Sequence, residues 1–139
     1  MASVNTQFSI AVHLVAGIAH KEAIVTSEAL AGSVNTNAAF VKRILAKLSK
    51  ASLIHAASGK SGGYGLAKRA SDITLLDIHR AVAAPRAFAI HDYCEVGACK
   101  VSANIKPVMG EVLTSAQRAF EQDLAKTTIQ DVVGKIRAA

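Results

Sequence analysis

The most reactive side chains of the chain lie together: Cys94 and Cys99, preceded by His91 and Asp92, in the stretch HDYCEVGACK. Thiols and an imidazole at this spacing leave three readings open. They could be metal ligands, a redox pair forming a reversible thiol switch, or two ordinary free thiols. A second stretch, Ser58-Gly59-Lys60-Ser61-Gly62-Gly63-Tyr64-Gly65-Leu66, contains GKS, the ending of a phosphate-binding loop. The full loop is G-x-x-x-x-G-K-[ST], and its first glycine would have to stand where the chain has Ile54. The Gly-Gly-Tyr-Gly that follows Ser61 cannot start the helix whose N-terminus would hold phosphate. The run instead has the composition of a hairpin turn.

A third group is cationic. At about 100° per residue, Phe40, Val41, Ile44, Leu45 and Leu48 share one arc of a helix. Lys42, Arg43, Lys47 and Lys50 occupy the opposite arc with no acidic residue among them. Such a face is either simply solvated or built to neutralise phosphates and release their counterions. Catalysis has no comparable support. His13, His20, His55, His79 and His91 are scattered without HExxH-type spacing, and Asp72 and Asp77 suit the start of a helix. The chain is therefore read as a binding protein and not an enzyme.

The elements that must position these groups follow from periodicity and caps. A first helix is expected from about Thr6 to Ala19, and a short second one over Ser27–Ala31 with Thr26 as its N-cap. Gly32 to Thr36 reads as a turn, and Asn37 as the N-cap of a third helix reaching Lys50. Leu53–Ala57 and Tyr64–Ala67 read as two strands joined by the glycine run. A fourth helix is expected over Thr74–Val82, approached through Ser71-Asp72 and stopped before Pro85. The cysteines lie in an irregular loop, followed by a long helix from about Ile105 to Lys126 with Pro107 in its first turn. A short helix from Thr128 to about Arg137 closes the chain. Helix, short helix, turn, basic helix, strand, glycine hairpin, strand is the order of a winged helix-turn-helix. The expected class is thus mostly α with a small β-hairpin, extended by a long C-terminal helix.

Composition is consistent with this. In 139 residues, 51% hydrophobic content supports a core, while 16 Lys+Arg against 10 Asp+Glu give a net charge of +6 that favours a polyanionic partner. No apolar run approaches the ~20 residues that span a bilayer, and no export leader is evident, so a cytoplasmic location with no membrane partner is expected.

Four segments carry a family resemblance: NTQFSIAVHLVAGIA, SVNTNAAFVKRILAKLSKASLI, GKSGGYGLAKRASDITLLDIHRAV and HDYCEVGAC. Together they resemble the Rrf2 family of bacterial winged-helix transcriptional regulators, most closely its cysteine-poor YwnA-like branch. The resemblance implies a homodimeric repressor on a palindromic operator of double-stranded DNA. It implies a DNA-binding domain over 1–84, a cysteine loop over 85–100, and a dimerisation helix plus C-terminal helix over 101–139. Base contacts would fall to Asn35, Thr36, Asn37 and Ala39, and phosphate contacts to Lys42, Arg43 and Lys47. The wing would contribute Ser58, Lys60 and Ser61; Ser58 stands where several members carry a minor-groove arginine. The dimer helix would pair through Ile105, Val108, Val112, Ala116, Phe120 and Leu124. Cluster-bearing members use three loop cysteines, whereas this chain has Asn104 and Ile105 at the third place. No cofactor is therefore expected, and an iron–sulfur cluster would need His91 or Asp92 beside Cys94 and Cys99. Modulation of the regulator by redox state or by a small effector is left open. The alternatives kept beside it are a redox or metal sensor acting through Cys94 and Cys99, and a basic protein-interaction module.

Overall fold

A computed structural model describes residues 6–82 and 86–139. The expected helix stop at Pro85 and the expected boundary between 84 and 85 lie outside the described residues. The chain runs α1 (Gln7–Lys21), α2 (Ser27–Val34), α3 (Ala38–Lys50), β1 (Ile54–Ala57), β2 (Gly63–Leu66), a 3₁₀ turn (Ala70–Asp72), α4 (Leu75–Ala81), α5 (Lys100–Leu124) and α6 (Ile129–Ala138). This is the mostly α winged helix-turn-helix with one antiparallel hairpin that the element order leads one to expect.

Two boundaries differ from the sequence-based expectation by more than two residues. The second helix continues through Gly32, Ser33 and Val34 and stops at Asn35, whose φ of 56° is left-handed. A helical glycine costs only about 1 kcal/mol, and buried Leu30 anchors the turn before it. The long helix begins at Lys100, not near Ile105. Its first turn is held by Ser102 N–H donating to Cys99 Sγ at 3.5 Å and Ala103 N–H donating to Cys99 O at 3.0 Å. Pro107 consequently lies inside α5, where it has no N–H to offer the preceding turn.

The chain divides into two compact units, Met1–Ala84 with Leu124–Ala139, and Pro85–Asp123. In the first unit, α1 is the central element: Ala11, Leu14, Val15 and Ile18 are no more than 1% exposed. They share a core with Val41, Ile44, Leu45 and Leu48 of α3, together with Ile54, Ile73, Ile78 and Ile129. Each such aliphatic side chain contributes about 1.5–3 kcal/mol by leaving water. His79 is also buried and packs edge-on against Phe8, with ring centroids 5.4 Å apart. The helix α6 joins this unit instead of accompanying α5, because the residues leading into it are bonded to those leading into α4. Leu75 N–H donates to Thr127 O at 2.9 Å and Ile129 N–H to Ile73 O at 2.8 Å. Thr74 with Asp77, and Thr128 with Asp131, form capping boxes at the N-termini of α4 and α6. Hydrogen bonds from Thr128 backbone and side chain hold the Asp131 carboxyl below the ordinary carboxylate range. A depressed folded pKa stabilises above the unfolded value, so this support for α6 is present at neutral pH and fades as the pH falls below the ordinary carboxylate range and through the folded value.

The hairpin pairs Ile54 with Leu66 through Ala57 with Gly63. A third backbone segment joins it: Val25 N–H donates to Tyr64 O at 2.9 Å and Tyr64 N–H to Val25 O at 2.8 Å. Two glycines make this geometry possible. Gly59 has φ +97° at the tip, and a Cβ at Gly63 would overlap the Val25 carbonyl. Gly63→Ala is accordingly expected to push the wing off Val25 and lower unfolding free energy by about 2 kcal/mol. Urea denaturation checks this; an unchanged midpoint would refute it.

In the second unit, none of the residues of α5 is buried, and Val101, Val108 and Val112 are more than half exposed.

Candidate nucleic-acid interface

The helix-turn-helix is set by three local devices. Thr26 Oγ1 accepts from Ala29 N–H at 3.1 Å and fixes the start of α2. Left-handed Asn35 then reverses the chain, its N–H donating to Ala31 O at 2.8 Å. Asn37 Oδ1 accepts from Phe40 N–H at 3.1 Å and starts α3. Asparagine suits both positions because its short amide tolerates left-handed φ and replaces a backbone acceptor. Asn35, Thr36, Asn37 and Ala39 are all exposed at this turn and the first turn of α3. The side-chain oxygen of Asn37 is thus engaged in capping.

Along α3, Val41, Ile44, Leu45 and Leu48 are buried, while Lys42, Arg43 and Lys50 are exposed. The Arg43 guanidinium lies 5.5 Å from the Phe40 ring centroid, which orients it near the N-terminal half of the helix. Lys47 differs from its neighbours. It is half-buried, and its Nζ donates to Gln7 Oε1 at 2.8 Å and to Val82 O at 3.5 Å. Those partners come from α1 and the end of α4, so only the folded chain reveals them. The wing presents Ser58, Lys60 and Ser61 as exposed residues around its tip. Lys68 and Arg69, exposed just beyond β2, are cations that sequence reasoning did not assign to the interface; Arg69 is paired with Asp72 at 2.9 Å.

The cysteine loop is organised around Ser102 and Tyr93. Tyr93 O–H donates to Ser102 O at 2.7 Å, and Val96 N–H donates to Ser102 Oγ at 2.8 Å. Lys106 Nζ lies 4.5 Å from the Tyr93 ring centroid and His91 stacks on that ring at 4.6 Å. Cys94 and Cys99 are free thiols, both exposed. Cys99 stands at the start of α5, where its sulfur accepts from Ser102 N–H. Among the described residues, no three His, Cys, Asp or Glu side chains converge as a metal site. With His91 stacked on Tyr93 and only two thiols, the residues do not fit an iron–sulfur ligand set.

The six residues expected at a dimer interface separate into two groups. Val108 and Val112 are exposed, with half-buried Ile105 on the same row as Val101. Ala116, Phe120 and Leu124 are half-buried and lie further round the helix. Among the described residues, no helix is long and apolar enough to cross a membrane.

The arrangement has counterparts among known proteins. The model of the Rrf2 family, described as iron-dependent transcriptional regulators, matches residues 4–135. YwnA of Bacillus subtilis, named as an HTH-type transcriptional regulator, is 34% identical over 134 residues, covering 96% of this chain and 98% of YwnA. A structure from Lactobacillus plantarum, described as a transcriptional regulator, superposes with TM-score 0.78 at 27% identity, covering 95% of this chain and 90% of that one. The fold is also that of CymR, the global cysteine regulator of B. subtilis, with TM-score 0.73, 21% identity and coverage of 97% and 98%.

Proposed function

The chain belongs to the Rrf2 family of transcriptional regulators, and from that premise we propose that it is a dimeric, sequence-specific DNA-binding repressor of the cytoplasm. The observation that carries the reading is the uniformly cationic exposed face of α3, presented by a capped turn and flanked by the wing. In this reading, Asn35, Thr36, Asn37 and Ala39 approach base edges. Lys42 and Arg43 contact phosphates, which fix register without reading sequence. Lys60, with Ser58 and Ser61, adds a backbone contact from the wing. Lys47, already bonded to Gln7, supports the helix and is a weaker candidate for phosphate. The valine row of α5 pairs two copies, so that two α3 helices meet half-sites about one helical turn apart.

Selection from a random DNA pool tests this directly. A palindrome with half-sites at about that spacing is expected, and deletion of the gene should raise transcription from promoters carrying it. Absence of any enriched sequence would overturn the proposal.

A second reading adds thiol control, favoured by the exposure of both cysteines and by the place of Cys99 at the start of α5. Peroxide is then expected to change operator affinity of the native protein and not of the Cys94→Ser/Cys99→Ser protein. Equal responses in a gel-shift titration would dispose of it.

A further inference from the structure

A groove of about 410 Å³ opens between α1, the last turn of α2, and α6. Its volume falls in the range of small-molecule sites. Val12, Ala16, Gly17, Val132 and Ile136 make it largely apolar, and Ile136 is 51% exposed there. Its polar groups are few and specific. His13 Nε2 and Ser33 Oγ are hydrogen-bonded at 2.9 Å and both line the groove. His20 lines it too, and Arg137 holds that residue: Nη2 donates to His20 O at 2.9 Å and Nε to His20 Nδ1 at 3.5 Å. With Nδ1 accepting, the neutral ring carries its proton on Nε2, which makes His20 a donor. Glu22 is the acid beside this corner, 3.7 Å from Arg137 and 77% exposed.

We propose that this groove binds a small monocarboxylate with an apolar body, and that occupancy weakens DNA binding. The apolar walls suit an aryl or branched alkyl group, while His13, Ser33 and His20 supply donors for one carboxylate. The second half rests on the regulator reading given above. Ser33 lies in the final turn of α2, just before Asn35, whose left-handed backbone sets the angle of α3. A carboxylate that takes the hydrogen bond of His13 or Ser33 releases that turn from α1. Only a ligand that distinguishes the two arrangements can shift affinity for DNA, and one that replaces their connecting bond does so.

Benzoate is the probe, with benzyl alcohol as its neutral counterpart, in calorimetry and amide NMR of the full chain. Saturable benzoate binding is expected, with shifts centred on Gly17, Ser33 and Val132. His13→Ala, an exposed site, should weaken it about tenfold, the loss of one hydrogen bond to a charged group. Val132→Phe should fill the groove and weaken it at least as much. Benzyl alcohol should bind more weakly, and saturating benzoate should lower operator affinity in the native protein but not in His13→Ala. Equal benzoate affinity in His13→Ala, or equal binding of the alcohol, would overturn the site. Benzoate bound with operator affinity unchanged would overturn the coupling. Benzoate bound by a protein that binds no DNA would leave the site standing and remove the regulator reading.

Discussion

The Lys42→Glu/Arg43→Glu protein is expected to bind operator on the order of 100-fold more weakly than the native protein, or worse. Both side chains are exposed on a helix with no acidic residue of its own. Reversal removes two cations from the face proposed to meet phosphates and sets two carboxylates there. The slope of log affinity against log salt should flatten by about 0.9 for each phosphate that is no longer neutralised. Stability should move by no more than about 0.5 kcal/mol, as for other surface changes. Fluorescence anisotropy at several salt concentrations, with a thermal melt as control, makes the measurement. Full affinity in the doubly reversed protein would remove DNA from this face. Lys47 supplies an internal contrast. Because its ammonium is tied to Gln7 and the Val82 carbonyl, Lys47→Met should lower stability more clearly than it flattens the salt slope.

The second large effect concerns α5. Val108→Glu/Val112→Glu places two carboxylates in the exposed valine row, and sedimentation should then find a monomer, against the dimer proposed for the native protein. Each half-site alone is bound weakly, and linking two of them raises avidity by about 10² to 10⁴. Operator affinity should fall by a comparable factor, while a single half-site is bound as before. A variant that stays dimeric would show that this row is not the interface. A native protein that sediments as a monomer would remove the dimer itself, leaving the charge-reversal result to stand on its own.

Much of the helix-turn-helix is legible in its residues because the signals are local. Thr26 and Asn37 both serve as the caps expected of them, and the apolar arc of α3 is the buried one. The glycine run is the hairpin that its composition indicates. Boundaries fail where a local rule meets a tertiary one. Gly32 has the look of a breaker, yet the helix passes through it and stops at Asn35, because packing of Leu30 outweighs one glycine. Pro107 has the look of a first-turn residue, yet the helix is already under way from Lys100. Interactions between distant segments are not legible at all. Nothing near Lys47 in the chain announces Gln7, and nothing near His13 announces Ser33 or Val132. The carboxylate groove is therefore a product of the fold alone.

The pairing of Val25 with Tyr64 has a further consequence. Val25 is the residue immediately before the Thr26 cap of α2, so the hairpin and the helix-turn-helix share a backbone joint. A wing hung only from its own two strands would have to be ordered afresh at each encounter with a duplex, at an entropic cost of about 1–2 kcal/mol per residue fixed. Here the hairpin base is clamped before any partner arrives, and Gly63 lets it sit that close. The distance from wing tip to α3 thus acts as a ruler cut in advance, and its amides at Val25 and Tyr64 should exchange with solvent no faster than those of the core.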